Sequence, residues 1–208
     1  MSTNPSFSPS KRPPSSRPPA PAKPPCTIHP SAIISDRAIL TGTHPISIAE
    51  NTVLHPYARI DSTNGPVELG RGCIVADNAV VGMAKREADG AVGAGLVLED
   101  DVVVESGAVV RARVVGRGTV VEVKAVVGQG VVIGEYSKIT PLSTVQPNTT
   151  LPAYTVVLQG ATTTTITQRT DTSTKTNPAI REMKARGHAQ QLDLLRRLIP
   201  SNTAKWVT

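Results

Sequence analysis

Aliphatic residues recur at every sixth position through most of this 208-residue chain. From Val115 the ladder reads Val115, Val121, Val127, Ile133, Ile139, Val145, Leu151 and Val157. Upstream the same step gives Leu98, Val104 and Val110, one residue out of phase. Before these come Leu69, Val75 and Val81, then Ile48, Leu54 and Ile60, then Ile28, Ile34, Leu40 and Ile46. A second column of small or β-branched residues follows most ladder members by four. It includes Ala32, Ala38, Thr52, Ala58, Cys73, Ala79, Val102, Ala108, Val114, Thr119, Ala125, Val131, Ser137, Ser143, Thr149, Thr155 and Ala161. Six is the period of neither an α-helix nor a flat strand.

A hexapeptide period is a signature of a parallel β-helix. Each unit supplies one short strand and one corner. The large aliphatic residue fills the interior and the small one fits a tighter interior site. Three sides close a triangular coil, and about seven coils stacked at ~4.8 Å give a prism ~30 Å long. The fold class expected is therefore an all-β solenoid, with one domain over residues 26–162. Gly70, Gly82, Gly116, Gly128 and Gly134 stand next to ladder residues, where corners need positive φ. Pro30, Pro56, Pro141 and Pro147 stand where no ladder N–H is needed. Three Tyr, one Phe and one Trp suit a narrow prism packed with Val, Ile, Ala and Thr. A sandwich of short strands would space them irregularly.

Residues 1–25 hold nine of the eighteen prolines and show no apolar period, so they read as a disordered arm. They lack the apolar stretch of a signal peptide, and no segment is long enough to span a membrane, so a cytosolic protein is expected. Cys26 and Cys73 do not suggest a disulfide scaffold. Residues 82–95 interrupt the ladder as a protruding loop, with one helical turn at 84–88. Residues 163–176 read as a Thr-rich linker. Residues 177–200 read as helix, with Asn177 as cap, Pro178 at the first position, Pro200 at the end and Gly187 as a possible break, before a tail at 201–208. Leu192, Leu195 and Ile199 share one face of that helix. With Leu198 they are the candidates for binding a partner or capping the prism. The net charge of +6 comes partly from the two tails, and no basic motif with interleaved aromatics marks a nucleic-acid reader.

Hexapeptide solenoids host two well-known chemistries. Their acyltransferases use a His base and an acyl-coenzyme A, and their γ-class carbonic anhydrases hold a metal on three His. This chain has four His. His29, His44 and His55 lie in the first two coils and His188 in the helical segment. His29 and His55 each follow a ladder residue and precede Pro, which reads as a corner preference. His44 falls in the small-residue column, as an interior His or an irregular corner. Glu99, Asp100, Asp101 and Glu105 read as a solvated face.

The stretches "IHPSAII" at 28–34, "PISIAENTVLHPYARI" at 45–60, "YTVVLQGA" at 154–161 and above all "QLDLLRRLIPSNTAKW" at 191–206 resemble the dynactin subunit 6 family. The resemblance covers most of 26–206, and the proline arm lies outside it. It implies a left-handed parallel β-helix serving as a non-enzymatic adaptor in the cytoplasm and cytoskeleton, with no catalytic residue, cofactor or metal. The partners it implies are dynactin subunit 5, the zinc-binding dynactin subunit 4 and a pointed-end actin-related protein, in dynein-driven microtubule transport of cargo such as endosomes. The alternative is a divergent hexapeptide-repeat enzyme, either a hydratase of the carbonic anhydrase type or an acyltransferase.

Overall fold

The interior of the chain is the predicted ladder. Val115, Val121, Val127, Ile139, Val145 and Val157 are fully buried, and so are Val104, Val110, Val75, Val81, Leu54 and Ile60. In this computed structural model, which describes residues 23–82, 95–159 and 166–206, short strands alternate with tight corners around a triangular prism. The parallel strands form three sheets. The first starts at Cys26–Ile28 and has seven strands. The second starts at Ile33–Ile34 and has seven parallel strands plus one antiparallel. The third starts at Ile39–Gly42 and has six. The chain thus makes six complete turns and two sides of a seventh. Ladder residues stack in register from turn to turn, as in Val115 with Ile133 and Val121 with Ile139.

The small-residue column also lies inside, with Thr52, Ala58, Cys73, Ala79, Ala108, Thr119, Ala125, Val131 and Ser143 at 0% exposure. Val114 does not. It pairs with Val97 and Val132 on the outer side of the first sheet, and Ala112 fills the interior place. The out-of-phase step between Val110 and Val115 is a corner shortened by one residue. His44 marks an irregular corner rather than an interior site, since its Nδ1 donates to the Ser62 carbonyl at 2.9 Å.

The corner glycines serve a different need from the one expected. Positive φ recurs three residues after the ladder, at Asn51, Tyr57, Asn78, Asp101, Lys124, Tyr136, Leu142, Asn148 and Tyr154, and at Gly72, Gly118 and Gly130. Of the five glycines next to ladder residues only Gly82 has it. Gly134 instead lies against the backbone of the next turn, where a Cβ would run into Ala153 and Pro152. Close stacking, not backbone handedness, excludes a side chain there.

From residue 166 onward the Thr-rich segment is not a linker. Ile166–Thr170 pairs antiparallel with Thr155–Gln159 and closes the end of the second sheet. Thr is β-branched and suits a strand, and an added strand covers an edge that would otherwise invite pairing. Helix α1 (Thr172–Thr176) follows, capped by Asp171, whose side chain accepts from the Thr174 amide. Helix α2 (Pro178–Leu198) starts as expected, with the Asn177 side chain accepting from the Ala179 amide and Pro178 in the first turn. It runs unbroken through Gly187, whose missing Cβ would meet nothing within 4 Å. At 1.5 Å per residue it is about 31 Å long, close to the height of the stacked turns.

Helix α2 lies along the second sheet, antiparallel to the stacking direction. Near its start Arg181 donates to the carbonyls of Thr174 and Lys175, while the Asp171 amide donates to Tyr154 of the last turn. Near its end Arg196 donates to the Asn51 side chain in the second turn at 2.7 Å. Val53 and Ile74 are buried outside the interior cluster, and α2 packs against the strand that holds Val53. Leu192, Leu195 and Ile199 are half-buried on the packed face, and Leu192 approaches Gly72. Leu198 is 66% exposed and belongs to the opposite side with Leu194 and Met183. These leucines therefore cover a side of the prism rather than its end. The end is closed by the tail: Asn202 bonds Ile34 and Asp36, Lys205 bonds Asp36, and Trp206 joins the interior cluster. The expected helical turn at 84–88, most of the expected loop and the bulk of the proline arm lie outside the described residues.

Candidate functional site

Strand alternation turns the middle residue of each early first-sheet strand outward. Thr27, Ser47, Glu68 and Val97 thereby form a row, in register from turn to turn. At the end of this row the chain bends into the first corner. A groove of about 740 Å³ runs over the row and against the corner, with His29, Pro30, Asp100 and Arg117 on its wall.

The corner is tied together by charges from successive turns. Arg71 grips Asp100 through Nε at 3.1 Å and Nη2 at 2.7 Å, and its amide donates to the same carboxylate at 2.8 Å. The Arg71 hydrogen bond holds the Asp100 carboxyl below the usual carboxylate range. Glu99 accepts from the Arg117 amide at 2.9 Å, and Asp101 stands 3.6 Å from the Arg117 guanidinium. Of the carboxylates expected to form a solvated face, Glu99, Asp100 and Asp101 are thus partners of arginines one turn away. His188 of α2 donates to the Gly72 carbonyl at 2.7 Å and lies 3.8 Å from Asp101.

His29 stands on the groove wall with 43% of its side chain exposed. Its Nδ1 accepts from the Ser31 amide at 3.2 Å and lies 2.8 Å from Ser31 Oγ. An amide N–H can only donate, so the neutral ring carries its proton on Nε2, which faces Glu50 at 3.7 Å. His55 stands on the corner after the second sheet. Its Nδ1 donates to Asp77 at 3.3 Å, and its Nε2 is buried without a hydrogen-bond partner among the described residues. His44 precedes the strand Ile46–Ile48, on the corner after the third sheet. The three imidazoles therefore occupy three different corners and do not converge. Among the described residues no group of three or more His, Cys, Asp or Glu could hold a metal ion. Cys26 and Cys73 are both free thiols.

No family model matches the chain, and no curated protein matches it. Solved structures do. A hexapeptide transferase family protein from Anaplasma phagocytophilum aligns over 83% of this chain and 91% of its own, with a TM-score of 0.57 and 14% identity. A putative acetyltransferase from Bacillus cereus aligns over 84% of this chain and 91% of its own, with a TM-score of 0.54 and 18% identity. At these identities the likeness is one of fold, and it bears out the left-handed parallel β-helix. It also corrects the functional expectation. The adaptor reading took this solenoid for a non-enzymatic dynactin subunit, but the structures that share the fold are named as transferases. The non-enzyme expectation falls with it.

Sequence reasoning found His29 but set it aside as a corner residue. It did not bring Glu50 and Arg117 to the same corner, where Glu50 faces His29 and Arg117 lines the groove. The signal was present as spacing: Glu50 and Arg117 occupy the place two after a ladder residue, as Pro30 does. That shared place puts them on one corner once the turns stack.

Proposed function

We propose that this protein is an acyl-group transferase that binds its donor in the first-sheet groove and uses His29 as general base. The observation that carries the reading is an imidazole on the wall of a groove of about 740 Å³, within the range of small-ligand sites. The fold shared with a hexapeptide transferase family protein and a putative acetyltransferase supports it. In the reaction, His29 takes the proton of an amine or hydroxyl as it attacks the acyl carbon. The thioester C–S bond breaks, and the leaving thiolate takes that proton from the His29 imidazolium. Glu50, 3.7 Å from Nε2, stabilises the imidazolium that forms.

The test is release of free thiol from acetyl-coenzyme A in the presence of a panel of amines and hydroxyl compounds. His29→Ala is expected to slow release by about 100-fold or more. His44→Ala, on another corner, is expected to leave it unchanged. Equal rates for wild type and His29→Ala would remove His29 from the chemistry.

A further inference from the structure

We infer that the outward face of α2 pairs with the same face of a second copy of this chain, antiparallel and about a two-fold axis. Helix α2 spends its inward face on the prism through His188, Leu192, Leu195 and Ile199. Its outward face carries Met183 at 66%, Leu194 at 56% and Leu198 at 66% exposure. Gly187 and Gln190 stand between them, also exposed. Ile180, Gly187 and Leu194 recur at seven-residue steps, and Met183 and Gln190 fall three after the first two. That is the spacing of a seam between paired helices. Glycine is a poor helix former, yet Gly187 sits inside an unbroken helix with nothing within 4 Å of a Cβ placed on it. No neighbour within the chain excludes a side chain there, whereas a second helix approaching the backbone does.

The charges select the partner and its direction. Arg186 and Asp193 each precede a seam residue, Gly187 and Leu194, by one place. With Leu194 of one copy laid antiparallel against Met183 of the other, the two-fold axis repeats that contact. Gly187 of each copy then faces Gln190 of the other, and Arg186 of each copy meets Asp193 of the other on the flank. In a parallel pair the same flank positions meet Gln191 and Leu198, with no match of charge. Arg186 makes no hydrogen bond or ion pair among the described residues. Asp193 has only Arg196 of its own helix, at 3.6 Å, and Arg196 also reaches Asn51. Both members of every contact come from one sequence, which is the mark of a contact between identical copies. The seam is short and holds few large side chains, so pairing is reversible and depends on protein concentration.

The experiment measures the mass of the whole protein by sedimentation equilibrium across the micromolar range, at low ionic strength where exposed charges are least screened. Wild type should move from monomer to dimer as concentration rises. Leu194→Ser should weaken pairing by about tenfold or more. Arg186→Glu sets carboxylates against each other on both flanks, and Asp193→Arg does the same with guanidinium groups. Each alone should weaken pairing by about tenfold. An equimolar mixture of these two single variants restores opposite charges on both flanks and should pair as wild type does. All three positions are exposed, so melting temperatures should stay close to wild type. A wild type that remains monomeric overturns the inference, including one that takes up a different protein through this face. So does a dimer or larger assembly that neither charge variant weakens, which would place the contact on a side of the prism. A mixture that pairs no better than its two components overturns the antiparallel register.

Discussion

The amide of Asn202 donates to the carbonyl of Ile34 at 2.8 Å, which ties the end of the chain to its first turn. Around that bond Ser201 Oγ accepts from the Ile34 amide, and Lys23 donates to the carbonyl of Lys205. The tail thus closes the open end of the prism with Trp206, 8% exposed and part of the interior cluster. A solenoid's terminal turn has a neighbour on one side only, so what covers it contributes directly to stability.

Trp206→Ala is expected to destabilise the protein by about 3 kcal/mol. Trp206→Phe should cost much less, because the indole Nε1 is buried without a hydrogen-bond partner among the described residues. Urea melts of the two variants check this. Equal midpoints for Trp206→Ala and wild type would show that the tail is not a cap.

Two corner positions should respond in opposite directions. Gly134→Ala drives a methyl group into the backbone of Ala153, and overpacking of this kind costs roughly 1–3 kcal/mol. Leu142 is 68% exposed and held at φ 62. Leu142→Gly relieves the left-handed strain, worth about 1–2 kcal/mol before the added chain entropy of glycine is subtracted. The expectation is a lower melting temperature for the first and an unchanged or higher one for the second. The reverse pattern would place the strained column one turn element earlier.

Asp100 is held below its ordinary value of 3.8, chiefly by the hydrogen bond from Arg71. A carboxylate with a lower pKa in the fold than in the unfolded chain stabilises the fold above the unfolded value. That stability is lost as pH falls through the folded value, so the relevant window lies below about pH 4. Asp171 adds to the same limb, held down first by the Thr174 hydroxyl and then by the Thr174 amide. Stability measured against pH should therefore fall less steeply in acid for Asp100→Asn than for wild type. An identical acid limb would show that the Arg71 pair does not contribute.

Burial pushes the Cys73 thiol up to about 12, and its Sγ donates to the Glu99 carbonyl at 3.0 Å inside the prism. The thiolate is the reactive form. Iodoacetamide near pH 8 should spare Cys73 in the folded protein and label it only after denaturation. Labelling of Cys73 in the native state at the rate seen in denaturant would show that the interior opens.

The chain's own pattern determined the coil. Six-residue spacing of Val121, Val127 and Ile133, with Thr119, Ala125 and Val131 between, allows only a surface that turns every six residues and buries both columns. The cap of α2 was equally local, since Asn177 and Pro178 act within one turn of helix. Stacking decided the rest. Gly134 and Gly128 look alike to Gly130 in sequence, yet only Gly130 has positive φ, because the first two are defined by what the next turn brings against them. Ile166–Thr170 became a strand only because Thr155–Gln159 offered an open edge. Leu198 and Leu195 differ in burial because the second sheet meets one side of α2 and not the other. His29 and Glu50 face each other from two successive turns, and a contact between turns depends on how many residues each corner spends. One residue more or less before Glu50 would carry its carboxylate off that corner, and only the folded chain shows that it stays.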